Sequence, residues 1–338
     1  MYQIKVLEKN QIDSLQVFIK NNWNANHIFV TSKKLLLWQH GLDLNLNYLV
    51  AYAENNNEII AVLGYIPTNH FDVRLKSDGL DLWLALWKGD DNYPGVGMDL
   101  LYHLQKFRNP SSIGSIGINK NVEKIYKILK YKIGELNHYY YTNPKIDNFK
   151  IISIQDKKSK FFNNSELDQE IEVVNTLFEV QKLPEPYYKP LKSADYFINR
   201  YERHPFYKYK FWLIKKSSEI ISVLVVRKIE VEETSCIRVV DVLGDLSRVK
   251  NITAELNRIL DDENSEYVDF LNFGIDEITF YQMGFLKKSN SEIIPNYFEP
   301  FIKSNNEIHF AYKSLYEPYV IFKGDSDQDR PNIIQNES

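Results

Sequence analysis

The stretch that decides the reading is Asp81–Arg108, DLWLALWKGDDNYPGVGMDLLYHLQKFR. Leu82–Trp87 is an apolar run bounded by turn residues, as a buried strand requires, and Met98, Leu100, Leu101 and Leu104 recur at helical spacing. Between them, Asn92-Tyr93-Pro94-Gly95-Val96-Gly97 places two glycines where a helix opens directly after a strand. The first N–H groups of a helix lack intrahelical partners and carry about half a positive charge, so such a turn can cradle an anion the size of a pyrophosphate. Two glycines alone also serve merely to let a chain turn, so the rest of the sequence must decide.

At 338 residues the chain can bury two cores of ordinary size. Its net charge of -4 argues against a nucleic-acid partner, which needs a concentrated basic face. The short run Lys157, Lys158, Lys160 reads as a solvated linker. With Cys236 as the one cysteine there is no disulfide framework and no cysteine metal site, and Cys236 itself reads as an inert strand residue. The first residues, MYQIKVLEKN, lack the pattern of a secretory signal, and no apolar run approaches the ~18 residues that cross a bilayer. The expectation is a soluble cytoplasmic protein with a small-molecule substrate, no nucleic-acid or membrane partner and no metal; the oligomeric state stays open.

The first half alternates strands and helices. An edge strand at 2–7 and a helix at 11–22 precede a helix from about Ser32, a suitable N-cap, near Trp38 and His40. A hairpin at 48–53 and 58–66, the Asp81 strand with its turn and helix, a small-residue strand SSIGSIGIN, and an amphipathic helix at 122–131 follow. The run ELNHYYYTNP closes the series. This order predicts a mixed α/β (α+β) fold, a sheet flanked by helices.

These residues resemble the GNAT N-acyltransferases. That family's Gln/Arg-x-x-Gly-x-Gly/Ala after a strand is matched by Asn92 to Gly97 apart from the first residue, and its Asn followed seven residues later by a helical Tyr is matched by Asn119 and Tyr126. The resemblance implies an acyl-coenzyme A donor held by Asn92, Tyr93, Pro94, Gly95, Val96 and Gly97, with the strand around Leu86, Trp87 and Lys88 along its pantetheine arm and Asn119 nearby. It also implies Tyr126 as the acid that protonates the departing thiolate. More narrowly, the Trp83–Trp87 strand, GELNHYYYTNP and KGDSDQDRPN are similar to acyltransferase-type proteins encoded with bacterial surface-polysaccharide genes.

The second half repeats the first. Helices at 169–178 and 193–201, strands at 211–215, 220–230 and 237–243, a helix at 251–260, a strand at 267–273 and a helix at 277–283 follow nearly the same order. DFLNFGIDEITFYQMGFLKK echoes GSIGINKNVEKIYKILKYK, yet after the third strand the second copy reads GDLSRVKN, without Gly-x-Gly. The expectation is two tandem GNAT-like domains, each a mixed, mostly antiparallel sheet flanked by helices, at 1–160 and 161–338. The first carries the phosphate turn and the second lends walls to the acceptor site.

For acyl transfer to an amine, a main-chain N–H of Leu84–Trp87 can meet the thioester oxygen where the strand splays from its neighbour, and Gly114 and Gly117 ease such splaying. His138 and His204 suit a base at neutral pH, and Asp241 and Asp269 are carboxylate candidates. His40 either lines the pocket or caps its helix, and Tyr139 is grouped with the substrate-binding residues. The tail, with Asp325, Asp327, Asp329 and Arg330 at close intervals, has three readings. It is a calcium loop lacking the expected Gly and Glu, an ordered loop in which Arg330 pairs a carboxylate and the others meet substrate, or a solvated terminus. Taken with the resemblance, the expected activity is transfer of an acyl group to an amino sugar, nucleotide-linked, for surface glycan synthesis. The alternatives are a tRNA-dependent aminoacyl transferase, disfavoured by the acidic balance, and a non-catalytic tandem domain that binds a nucleotide sugar or glycan.

Overall fold

The computed structural model describes residues 1–55, 57–75, 80–154 and 169–334. The first half contributes β1 (Tyr2–Glu8), α1 (Ile12–Asn22), α2 (Ile28–Thr31), α3 (Lys33–His40), β2 (Asn45–Ala53), β3 (Ile59–Pro67) and β4 (Asp81–Gly89). It continues with α4 (Val96–Arg108), β5 (Ser112–Ile116), α5 (Lys120–Ile128), β6 (Lys132–Glu135) and β7 (Asn137–Thr142). The second half supplies β8 (Gln169–Val174), α6 (Ala194–Phe197), β9 (Lys210–Lys216), β10 (Glu219–Val231), β11 (Thr234–Gly244), α7 (Thr253–Asp262) and β12 (Ser265–Phe273). Then come α8 (Glu277–Met283), β13 (Leu286–Lys287), β14 (His309–Ser314) and β15 (Ile321–Phe322).

Two sheets result, in the orders β1-β2-β3-β4-β5-β14-β6 and β13-β7-β12-β11-β10-β9-β8, with β15 added beside β12. The fold is mixed α/β, and the pairs β4–β5 and β11–β12 are parallel within otherwise antiparallel sheets. One expectation is corrected: Gln169–Phe178 is not a helix, because Gln169–Val174 forms the edge strand β8 on β9. There Gln169 and Ile171 are buried while Glu170 and Glu172 face solvent, a period of two that only a strand can satisfy.

Each half completes the other's sheet. β7 lies between β12 and β13, and β14 lies between β5 and β6. The sequence dictates the departure of β7, since only Leu136 separates it from β6 and a hairpin needs at least two loop residues. Gly134 makes room for the incoming strand, as a Cβ there would stand 2.7 Å from the Phe310 ring. The expected division at 160/161 and the lysine run Lys157–Lys160 lie outside the described residues.

Between the sheets runs a shared core in which Ile66, Trp83 and Ile116 meet Val223, Val225 and Val240. Other cores lie under α4 and α5 (Leu84, Leu100, Leu104, Tyr126) and under α7 and α8 (Leu256, Phe270, Phe280). The exchange makes the halves interdependent. Residues 1–154 expressed alone should show no cooperative thermal unfolding by circular dichroism, and mixing with residues 169–338 should restore it; a cooperative melt of 1–154 by itself would contradict the role given to β14.

Candidate active site at the splay of two strands

Parallel pairing of β4 with β5 runs from Asp81↔Ser112 to Leu84↔Ser115 and stops, while β4 continues to Gly89. A bulge in β4 between Leu84 and Trp87, seen as a register shift against Leu63 and Tyr65 of β3, turns the strand at that point. The result is a wedge whose β4 wall is the main chain of Ala85–Lys88. At its far end lies the glycine turn. Gly95 has φ +91°, and nothing lies within 4 Å of where its Cβ would stand. No side chain caps α4. Asp99 N–H already bonds to Gly95 O at 3.1 Å, but the amides of Gly95, Gly97 and Met98 have no partner among the described residues. The Trp87 indole fixes the turn by donating to Gly97 O at 2.9 Å.

The charges around the turn are locally matched. Asp90 accepts from both nitrogens of Asn92 at 2.9 Å, Asp91 pairs with Lys88 at 3.1 Å, and Asp99 accepts from the Tyr2 hydroxyl. Their engagement leaves the partner-free amides as the groups offered to an anion.

The corresponding place in the second half is closed. After β11 the Asp245 side chain caps the next turn, accepting from Ser247 N at 2.9 Å. The wedge between β11 and β12 is filled by the C-terminal segment, with Gly324 N donating to Val240 O at 2.6 Å and Lys323 N to Leu271 O at 3.2 Å. The same segment then reaches the first wedge. Ser326 Oγ donates to Leu84 O at 3.0 Å and Gln328 Nε2 to Ile116 O at 3.1 Å, flooring it where the strands part. Asp325, Ser326 and Asp329 are buried, so over Lys323–Asp329 the tail is not a solvated terminus.

Buried ion pairs hold this segment. Lys192 Nζ lies 2.6 Å from Asp241 Oδ1 and 2.8 Å from Asp325 Oδ1, and Tyr201 OH donates to Asp241 Oδ2 at 2.6 Å. Burial opposes the Lys192 charge, but the two carboxylates outweigh it and hold the group above the ordinary lysine range. Arg227, Arg238 and Asp269 stand in register across β10, β11 and β12. Arg238 grips Asp269 with Nε at 2.9 Å and Nη2 at 2.5 Å, and Arg227 grips Asp329 at 2.8 Å. Despite burial, Arg238 keeps the Asp269 carboxyl down at about 2. Beside this row a small open cleft is lined by Tyr207, Phe298, Asn296, Lys323 and the tail from Asp327 to Arg330.

The structure brings some of the expected residues together and separates others. Leu86 is buried in the core under α1 to α3, Val96 is buried in the core under α4 where Trp87 and Tyr93 also pack, and Asn92, Pro94 and Gly95 are exposed on the turn. Asn119 caps α5, accepting from Asn121 N and Val122 N at 3.0 Å. Tyr126 is buried between Trp87 and Tyr131 and faces Ser115, and burial pushes its phenol up, so it stays protonated. Asp327 and Arg330 pair at 3.2 Å and reach the cleft, whereas Asp325 is committed to Lys192.

The four candidates for a base are otherwise engaged. His138 Nε2 bonds to Asp269 at 3.0 Å, and Asp241 receives Lys192, Tyr201 and its neighbour's amide. His204 Nδ1 accepts from Phe206 N and Tyr207 N, and burial drives its pKa down to about 3. His40 is enclosed, bonded to Gln39 and Tyr65 O, and likewise pushed to about 3 by burial. Tyr139 stacks on Phe280 at 3.9 Å in the core under α8, away from the cleft. The exposed Glu135 and Glu307 and the half-buried His309 bring ligand atoms within 4.8 Å of one another on the far edge of the first sheet.

Sequence reasoning missed Lys192, Lys323, Arg227 and Arg238. The signal was present for the arginines, each a charged residue inside an apolar strand run, VLVVRKIEV and CIRVVDVLG.

No family model matches the sequence, and no curated protein matches it significantly. Among solved structures the fold is similar to a GCN5-related N-acetyltransferase from Anabaena variabilis, at TM-score 0.53 and 12% identity over 94% of this chain and 73% of that one. It is also similar to a conserved protein of Enterococcus faecalis described as a probable N-acyltransferase, at TM-score 0.52 and 9% identity over 93% and 72%. The fold is therefore that of two tandem GNAT-like domains, each lending the other a strand.

Lys192→Met should lower stability by about 3–5 kcal/mol, because it strands Asp241 and Asp325 without a counter-charge. Urea denaturation at pH 7 reads this directly, and an unchanged midpoint would show that the pair does not anchor the tail.

Proposed function

We propose that the protein is an acyl-coenzyme A-dependent N-acyltransferase whose acceptor is the amine of an amino sugar, nucleotide-linked, used in surface glycan synthesis. The observation that carries the reaction class is the asymmetry between the halves: one wedge is open beside partner-free helix amides, and its counterpart is filled by main chain. The amides of Gly95, Gly97 and Met98 would hold the donor's pyrophosphate, which the missing Cβ of Gly95 leaves room for. The wall from Ala85 to Trp87 offers N–H groups for the thioester oxygen, and Tyr126 keeps a proton to give to the sulfur. The acyl donor supplies the activated carbonyl; the chain's residues position it and handle protons.

The acceptor would enter from the tail side. Its cleft has the rings of Tyr207 and Phe298 and the buried Asn296 Oδ1, which has no partner among the described residues. Rings and an unmet acceptor suit a hydroxyl-bearing ring such as a sugar. The division into a donor-binding half, 1–160, and an acceptor-lining half, 161–338, belongs to the same proposal. So does a cytoplasmic location, where acyl-coenzyme A is made.

One observation favours a second reading, a non-catalytic tandem domain. The Asn92 amide is spent on Asp90 and is not offered to a phosphate. Calorimetry with coenzyme A separates the two readings, since no binding at millimolar donor leaves only the second. Gly95→Glu should abolish donor binding, at a folding cost of about 1–2 kcal/mol for a side chain in the left-handed region. Tyr126→Phe should bind donor as before and turn over about 10²–10⁴-fold more slowly; equal turnover would remove Tyr126 from the proton path.

A further inference from the structure

Two lysines are buried in the seam between the sheets, and they are solvated differently by the protein. Lys192 has two carboxylates. Lys323, only 6% exposed, has no carboxylate within ion-pair distance among the described residues, and its Nζ donates to Gln328 O at 2.7 Å. The carboxylates that could balance it, Asp269 on β12 and Asp329 in the tail, are held by Arg238 on β11 and Arg227 on β10. Those guanidiniums face Lys323 as like charges. Burial first, then Arg238 and Arg227, bring its pKa down to about 7, against a weaker upward pull from Asp329 and Asp269.

Position matters as much as environment. Gln328 holds Lys323 with its carbonyl and the end of β5 with its side-chain amide, so the amine stands in the cleft one residue away from the floor of the wedge. The unpartnered Asn296 Oδ1 lines the same cleft. His40, His138, His204 and Asp241 are committed elsewhere, as described above.

We propose that the Lys323 amine is the proton acceptor for the substrate's ammonium group, and that Asn296 Oδ1 orients the same substrate. The inference rests on the acyl-transfer reading. Lys323 takes one proton from R–NH3⁺ and later releases it to solvent. The nitrogen lone pair then forms the C–N bond as the C–S bond breaks; Tyr126 gives the sulfur a proton and regains one from the nitrogen. Below pH 7 Lys323 carries its own proton and cannot accept another, so kcat/KM should rise about tenfold per pH unit up to about 7 and then level.

The deciding measurement is an NMR titration of the full chain with ¹⁵N-labelled lysine Nζ, using Lys323→Met to identify the resonance. A group titrating near 7 is expected, and one titrating near the ordinary lysine value of about 10.4 overturns the proposal. With acetyl-coenzyme A and UDP-glucosamine as probes, Lys323→Met should lose 10²–10⁴-fold in kcat/KM, lose the acid limb of the profile, and keep donor affinity and melting temperature. Lys323→Gln should behave alike. Wild-type kcat/KM with its pH dependence intact in either variant overturns the base role, and so does mass-spectrometric acylation of Lys323 itself. Failure of the wild type to bind acetyl-coenzyme A instead sinks the acyl-transfer reading, and the titration still judges the state of the amine.

Discussion

A buried ammonium shared by two carboxylates fastens the C-terminal segment into the seam between the sheets. Lys192, Asp241 and Asp325 come from a loop, a central strand and the tail, and none is tolerable there without the other two. Once Asp325 is placed, the path of its neighbours is settled. Residues before it complete the second wedge as strand and main chain, and residues after it floor the first. Arg200 adds a clamp by donating to Gly324 O and Ser326 O.

The two halves share an order of elements and differ in what occupies the same place. A left-handed glycine leaves helix amides exposed beside the wedge in one, and main chain of the C-terminal segment fills the wedge in the other. The exchange of β7 and β14 couples the halves further, because neither sheet is complete without the other half's strand. The two halves thereby form one interdependent unit, with a wedge in the first half and an adjoining cleft. The bulge at Val240, which lets Asp241 and Val239 face neighbouring residues of β10, is what aims Asp241 into the seam.

The row Arg227, Arg238, Asp269 shows why individual ionisable residues were hard to read. As isolated residues His138 and Asp269 suit acid–base work, but in the fold they satisfy one another and Arg238. Matching of this kind decides which groups keep unmet valence, and Lys323, without a carboxylate partner, and Asn296, with an unpartnered Oδ1, carried no pattern in the chain.

The sequence by itself determined the local devices: the strand, Gly-x-Gly turn and helix around Gly95, the repetition of that order in the second half, and the loss of the turn there. Spacing and glycine chemistry act within a few residues, so they are readable without coordinates. It misjudged Gln169–Val174 because a six-residue amphipathic run next to a helix-like continuation is ambiguous until a partner strand is known. Only the tertiary structure decided the strand exchange, the burial of Lys323–Asp329 and the pairing of Arg238 with Asp269. These join residues tens to hundreds of positions apart, and whether a charge is matched or stranded depends on which distant group the fold sets beside it.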